Sequence, residues 1–164
     1  MKYDNSQVRR QDRLLDEARA RELLATAEYG VLSIVDRDRK PYGVPVNFVF
    51  DEDCIYIHCA NEGRKLDCID LYDDVSFCIV GRVNLLPSKF TTEYESVILT
   101  GEATIITDDE ERMRALELLL EKYSPNDIKV GMKYARSSFS RTDIIRIDIA
   151  TFSGKCKCVT RSTE

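Results

Sequence analysis

With 164 residues, 43% of them hydrophobic and 32% charged, the chain has enough apolar material for one core without disulfides or a structural metal, and too much for a disordered segment. Its 24 basic against 29 acidic residues leave a formal net charge of -5, which repels a phosphate backbone and argues against broad nucleic-acid binding. No apolar run reaches membrane-spanning length and Met1-Lys2-Tyr3-Asp4-Asn5 lacks the apolar core of a signal peptide, so a cytoplasmic location is expected.

Residues 1–13 are polar and end in Arg9-Arg10-Gln11-Asp12-Arg13, an arm that either stays solvated or lies against a partner or an anion. From Asp16 to Glu28, Ala18, Leu23, Leu24 and Ala27 fall at helical spacing, and Gly30 stops the helix. The β-branched run Gly30–Val35 predicts a strand, and 36–41 a turn. Tyr42–Phe50 and Cys54–His58 predict two strands joined in a hairpin around Asp51-Glu52-Asp53. A short helix is predicted over Glu62–Leu71, a strand over Val75–Val83, a loop over Leu85–Thr92, and a strand over Ser96–Ile106 broken by Gly101. Thr107 and Glu110 form a capping box for a helix burying Met113, Leu116, Leu120 and Tyr123 and ending at Ser124-Pro125. A helical piece over Ile128–Arg136 and a strand over Asp143–Phe152 complete the chain.

Three strands with hairpin-sized connections are not a βαβ repeat, and no G-x-G-x-x-G is present to mark a dinucleotide fold. The predicted fold is therefore mainly β with accessory helices (α+β), a single domain over 1–164 with 1–15 as an N-terminal arm. Closing the sheet into a small barrel, or curving it strongly, would best deal with its edges.

The six cysteines lie in apolar stretches or alternate along Cys156-Lys157-Cys158, which predicts buried, reduced thiols. Cys156 and Cys158 lack the C-x-x-C spacing and an adjacent histidine, so no zinc site is expected. His58 is the only histidine, which excludes histidine-cluster metal motifs; neither G-x-S-x-G nor G-x-x-x-x-G-K-[ST] occurs.

Two segments carry chemistry. In His58-Cys59-Ala60-Asn61-Glu62-Gly63-Arg64-Lys65 a strand ends, a glycine turn follows, and two cations enter the first turn of a helix, where unpaired amides attract anions. This predicts either a phosphate site or two solvated cations whose sign is mildly unfavourable at a helix start. In Pro45-Val46-Asn47-Phe48 the proline belongs at a strand edge, start or bulge, where free backbone groups and the Asn47 amide can meet a flat heterocycle or simply pack.

Taken together and in order, Arg9–Arg13, Gly43–Phe48, His58–Lys65, Ser96–Ala103 with Gly101, and Ser153-Gly154-Lys155 resemble the pyridoxamine 5'-phosphate oxidase-like FMN-binding split barrels of Greek-key type. The likeness is strongest to the branch that includes the nitroimidazole-resistance (Nim) proteins. It implies a homodimer with FMN in two interface grooves. Val44, Pro45, Val46 and Asn47 would line the isoalloxazine edge, and His58 and Ala60 would approach the ribityl or phosphate end. Arg64 and Lys65 would neutralise the phosphate, with Lys155 adding from the last strand and the arm around Arg10 and Arg13 reaching across the dimer. Gln11 stands where the family commonly has lysine, and Cys59 where serine is frequent. The fuller basic set and Arg-containing C-terminal segment of the vitamin B6 oxidases are missing, so that oxidation is not expected.

The resemblance further implies a flavin that takes electrons from a reduced donor such as a nicotinamide and passes them to a small flat acceptor such as a nitroaromatic, with no dedicated catalytic side chain. The alternatives are a noncatalytic flavin sensor or carrier, a haem-binding relative with His58 as its one histidine ligand, and a barrel dimer without cofactor.

Overall fold

The computed structural model describes residues 1–159. Strand β1 (Lys2–Tyr3), helix α1 (Glu17–Thr26), strands β2 (Gly30–Val35), β3 (Pro41–Val46), β4 (Val49–Asp51) and β5 (Cys54–Ala60), and helix α2 (Arg64–Ile69) make the first half. Strands β6 (Asp74–Leu86) and β7 (Thr91–Ile106), helices α3 (Asp109–Tyr123) and α4 (Ile128–Ser138), and strand β8 (Thr142–Lys157) follow.

Eight strands form one sheet in the order β3-β2-β6-β7-β8-β5-β4; neighbours on this path are antiparallel, and β1 joins β8 in parallel. Strand alternation selects the core: on β2, Leu32 and Ile34 are buried while Ser33 faces out, and on β5, Ile55, Ile57 and Cys59 point inward. These pack with Phe48, Phe77, Leu99, Ile147 and Phe152, and α1 adds Ala20, Leu23 and Leu24. Asp16 caps α1 by accepting from the amides of Ala18 and Arg19.

The barrel is split, as the family resemblance implies, rather than closed: β3 and β4 end the sheet without pairing to each other. The continuous strand predicted over Tyr42–Phe50 breaks at Asn47-Phe48 for the same reason. Phe48 is fully buried, and its backbone finds partners on α3 in place of a neighbouring strand. The predicted loop over 85–92 shrinks to a 3-10 turn at Pro87–Lys89, since Leu86 pairs with Thr91 and the ribbon runs on. Gly101 does not break β7. It sits at a register shift where a Cβ would fall 2.1 Å from the Asp148 carbonyl oxygen, so only glycine admits that approach.

Helix α3 starts one residue later than the capping box predicts: Asp108, not Thr107, accepts from the Glu111 amide at 2.8 Å. Its buried residues are Ala115, Leu116 and Leu119, while Met113 and Leu120 are half-buried and Tyr123 is exposed at the threshold of the cleft described below. A second, smaller cluster joins those residues to Val49, Tyr56, Ile144 and Ala135 on the outer side of the sheet. All six cysteines are free, but only Cys59 and Cys68 are buried; Cys158 is exposed at the end of the paired region, which corrects the uniform burial expected. No helix among the described residues is long and apolar enough to cross a membrane.

The arm is laid along its own chain. Lys2 and Tyr3 pair with Thr151 and Phe152, and Leu15 donates to the Gly154 carbonyl at 3.1 Å.

Candidate functional site

Strand β5 sends alternate side chains to opposite faces, so Tyr56, His58 and Ala60 share the outer one. Tyr56 is covered by α3 and donates to Glu111 Oε1 at 3.0 Å, whereas His58 and Ala60 are exposed near the strand's end, opposite Ile144 and Thr142. Partial burial first, and the Lys65 charge second, hold the His58 imidazole below its ordinary value. At neutral pH it is therefore an uncharged ring able to donate and accept.

Beyond Ala60 the chain turns through Gly63 at φ 134°, a conformation that favours glycine, and enters α2 with no side-chain cap on its first amides. Six residues carry little macrodipole, so an anion here depends mainly on side-chain charge. The two cations differ. Arg64 Nη2 is bonded to Asp36 Oδ2 at 2.9 Å and its guanidinium lies 4.3 Å from the Tyr42 ring centroid, fastening α2 to the β2–β3 turn. Lys65 is half-buried, has no ion pair among the described residues, and lies close enough for its charge to act on His58, and on Cys59, whose thiol burial pushes up against the opposing pull of Lys65.

Strand β3 ends the sheet, so one of its edges has no ladder partner, and the expected edge proline is Pro45, exposed and opposite Val31. Val44 and Val46 are half-buried against the barrel core. Asn47 is exposed; its Nδ2 donates to the Glu28 carbonyl at 2.9 Å and leaves Oδ1 free to accept.

Two residues that sequence reasoning did not single out for this site hold the segment. The Tyr123 hydroxyl accepts from the Phe48 amide at 3.0 Å and lies 2.6 Å from the Glu28 carbonyl oxygen and 2.8 Å from that of Phe48; its one proton serves one of them. Lys122 Nζ donates to the Phe48 carbonyl at 2.9 Å and stands 4.0 Å from the Phe48 ring centroid, with burial bringing its ammonium down to about 8. No local pattern marks either residue, because their partners are 74 and 75 positions away.

Lys155 stands elsewhere: it opposes Ser96 near the far end of β8 from Thr142, with its Nζ 5.9 Å from the Tyr94 ring centroid. Arg10 is bonded to Asp12, with Nε at 2.7 Å from Oδ1. A cleft of about 360 Å³ lies between the outer face of β5 and the α3–α4 hairpin, with Asn47 and His58 on its β side. No group of three or more His, Cys, Asp or Glu among the described residues is placed to hold a metal ion.

The residues present fit a phosphate-bearing planar cofactor. Lys65 is an uncommitted cation, the Gly63 turn leaves amides uncapped beside it, and the free edge of β3 with Asn47 Oδ1 offers hydrogen bonds to a ring.

A split antiparallel barrel with a helix hairpin against its outer face, and such a corner at a strand-to-helix turn, defines the flavin-binding split-barrel class. The sequence model of pyridoxamine 5'-phosphate oxidase matches residues 16–156, and the chain belongs to that family, whose members bind flavins and are commonly dimeric. Among solved structures, it is similar to a candidate 5-nitroimidazole antibiotic resistance protein from Bacteroides thetaiotaomicron, at 21% identity and TM-score 0.72 over 88% of this chain and 86% of that one. It is also similar to the flavocytochrome Anf3 from Azotobacter vinelandii (18% identity, TM-score 0.71, 88% of this chain and 68% of that one). The FAD and heme binding protein from Mycobacterium smegmatis is a further match (22% identity, TM-score 0.70, 87% of this chain and 71% of that one). No curated protein matches the chain.

Proposed function

We propose that the chain is an FMN-dependent oxidoreductase of the cytoplasm, a homodimer with FMN at the interface, that passes electrons from a reduced donor such as a nicotinamide to a small flat organic acceptor such as a nitroaromatic. The observation that carries this reading is the uncommitted Lys65 beside neutral His58 at the Gly63 turn. Lys65 neutralises the phosphate. Arg64 reaches it only by giving up Asp36, and otherwise steadies β3 through Tyr42. His58 and Ala60 border the ribityl or phosphate end. Val44, Pro45 and Val46 present backbone to the isoalloxazine edge, where Asn47 accepts a hydrogen bond through Oδ1. Lys155, at the far end of β8, enters as a contribution from a second copy.

When bound, FMN supplies the two-electron redox chemistry, and the chain binds, orients and shields it. Tyr123 and Lys122 keep Asn47-Phe48 in place at no cost in rearrangement when the cofactor enters.

A second reading, a noncatalytic flavin- or haem-binding protein, is favoured by one feature: the only imidazole is neutral and borders a cleft rich in apolar side chains. The absorption spectrum of freshly purified protein, followed by identification of the released cofactor, separates the two. The oxidoreductase reading expects flavin bands, FMN on release, bleaching by a nicotinamide and recovery on adding a nitroaromatic. A Soret band supports haem, released FAD reassigns the flavin, and a folded colourless protein that refuses FMN at high concentration overturns both.

A further inference from the structure

The last strand ends in two thiols. Cys156 is half-buried on β8 opposite Glu95, and the exposed Cys158 follows the strand's last residue. The chain stays beside β7 there, because the Val159 amide donates to Glu93 Oε1 at 2.9 Å. Positions two apart on an extended chain face the same side. Cys158 is close enough to act on the Cys156 thiol, which burial first, and then Cys158 and Glu95, push up. The Cys156 Sγ donates to the Leu14 carbonyl at 3.4 Å, a weak bond that an incoming ion can replace, and Cys158 borders a recess of about 460 Å³.

The oxygen donors beside them are committed. Glu95 Oε2 is paired with Arg19 Nη2 at 2.9 Å, and Glu93 Oε2 accepts from Asn84 Nδ2 at 2.8 Å. Two sulfurs alone cannot complete zinc's four ligands or the oxygen shell of calcium or magnesium. A soft monovalent ion such as copper(I) prefers thiolate and is satisfied by two of them, one on either side. Distance favours such an ion over a direct disulfide. Same-face neighbours on an extended chain lie about 6.6 to 6.8 Å apart at Cα, the upper limit for a disulfide, whereas two metal–sulfur bonds of about 2.3 Å set the sulfurs about 4.6 Å apart. The bis-thiolate of a monovalent ion keeps one negative charge. Arg82 and Lys89, in the same recess and without an ion pair among the described residues, offset it.

We propose that Cys156 and Cys158 bind one soft monovalent ion of the copper(I) class between their sulfurs as a two-coordinate bis-thiolate. Each ion bound releases two protons, one from each thiol, and no electron is transferred. The site is independent of the flavin reading and uses none of its residues.

Full-length protein, kept reduced with a phosphine and free of oxygen, is titrated against copper(I) held by a coloured chelator. The expected result is one ion per chain drawn from the chelator, with two sulfur neighbours in X-ray absorption and the same stoichiometry with or without FMN. Cys158→Ser and Cys158→Ala, at an exposed position, should each weaken the ion by more than the roughly 10–100-fold typical of losing an outer-shell partner. Neither should move the thermal midpoint or FMN retention. Cys78→Ser, at a half-buried thiol on β6, should leave copper(I) affinity unchanged. No ion taken from the chelator, unchanged affinity in either Cys158 variant, three or more sulfur neighbours, or displacement by equimolar zinc(II) overturns the proposal. So does half an ion per chain, which would mean that two copies share it. If the flavin reading fails instead, FMN is not retained while copper(I) still binds.

Discussion

The two faces of β5 divide the molecule's work. Inward, Ile55, Ile57 and Cys59 join a cluster from which water is excluded on all sides by the sheet and α1. Outward, Tyr56, His58 and Ala60 meet a helix hairpin that covers the first of them and leaves a cleft over the second. Side chains of one strand thus become structural or accessible according to parity. The outer face tolerates an incomplete cover because the barrel core already holds the fold. Such a partly covered face is where a ligand can enter without unfolding anything.

That contrast can be broken most forcefully from the inside. Phe77→Ala removes a fully buried ring packed edge-on against Phe48 at 5.1 Å, and should cost about 3 to 5 kcal/mol in urea denaturation. Leu116→Ala, on the outer cluster and opening into the cleft, should cost nearer 2 kcal/mol, at the low end of the range for buried leucines; a loss as large as at Phe77 would show that the hairpin is as tightly built as the barrel.

The remaining tests separate binding from folding on the outer face. Lys65→Ala should weaken FMN binding by about 1.5 to 3 kcal/mol in a fluorescence titration, the range for a charged hydrogen bond, while leaving the denaturation midpoint in place. Unchanged affinity would remove Lys65 from the site. Tyr123→Phe leaves the Phe48 amide without its partner and should cost about 1 kcal/mol in stability, together with some FMN affinity as Asn47 loosens.

The smallest effect lies in pH dependence. Burial lowers the folded Lys122 ammonium from 10.5 to about 8, so between these values the unfolded chain holds more protons than the folded one. The cost of burying the charge is then present in full below pH 8 and is relieved as pH rises. Denaturation midpoints of the wild type, with those of Lys122→Met subtracted, should climb between pH 8 and about 10.5; a flat difference would mean that the carbonyl and ring contacts offset the desolvation.

Much of the local order was legible because it depends on neighbours in the chain. Strand β2 falls where its β-branched run predicts, Pro45 sits on an edge strand, and α1 buries Leu23 and Leu24 as expected, although Ala20 rather than Ala18 completes its apolar face. The errors share a cause. The 85–92 loop became paired ribbon, and the Tyr42–Phe50 strand broke at Asn47, because cross-strand pairing and the Tyr123 and Lys122 side chains act through space on segments whose composition says nothing of them. At the candidate site, the residue types of His58, Arg64 and Lys65 pointed to anion chemistry, but nothing in two adjacent cations foretold that one would be committed to Asp36 and the other left free.

The sequence by itself determined the alternation that gives β5 an inner and an outer face, the glycine at the turn and the supply of cations beside it, since periodicity and backbone freedom are properties of successive residues. Only the tertiary structure decided that Tyr123 and Lys122 anchor the Asn47 segment, and that an uncharged cleft opens over the single histidine. Each of these depends on groups far apart in the chain meeting at hydrogen-bonding distance, and no local pattern encodes such a meeting.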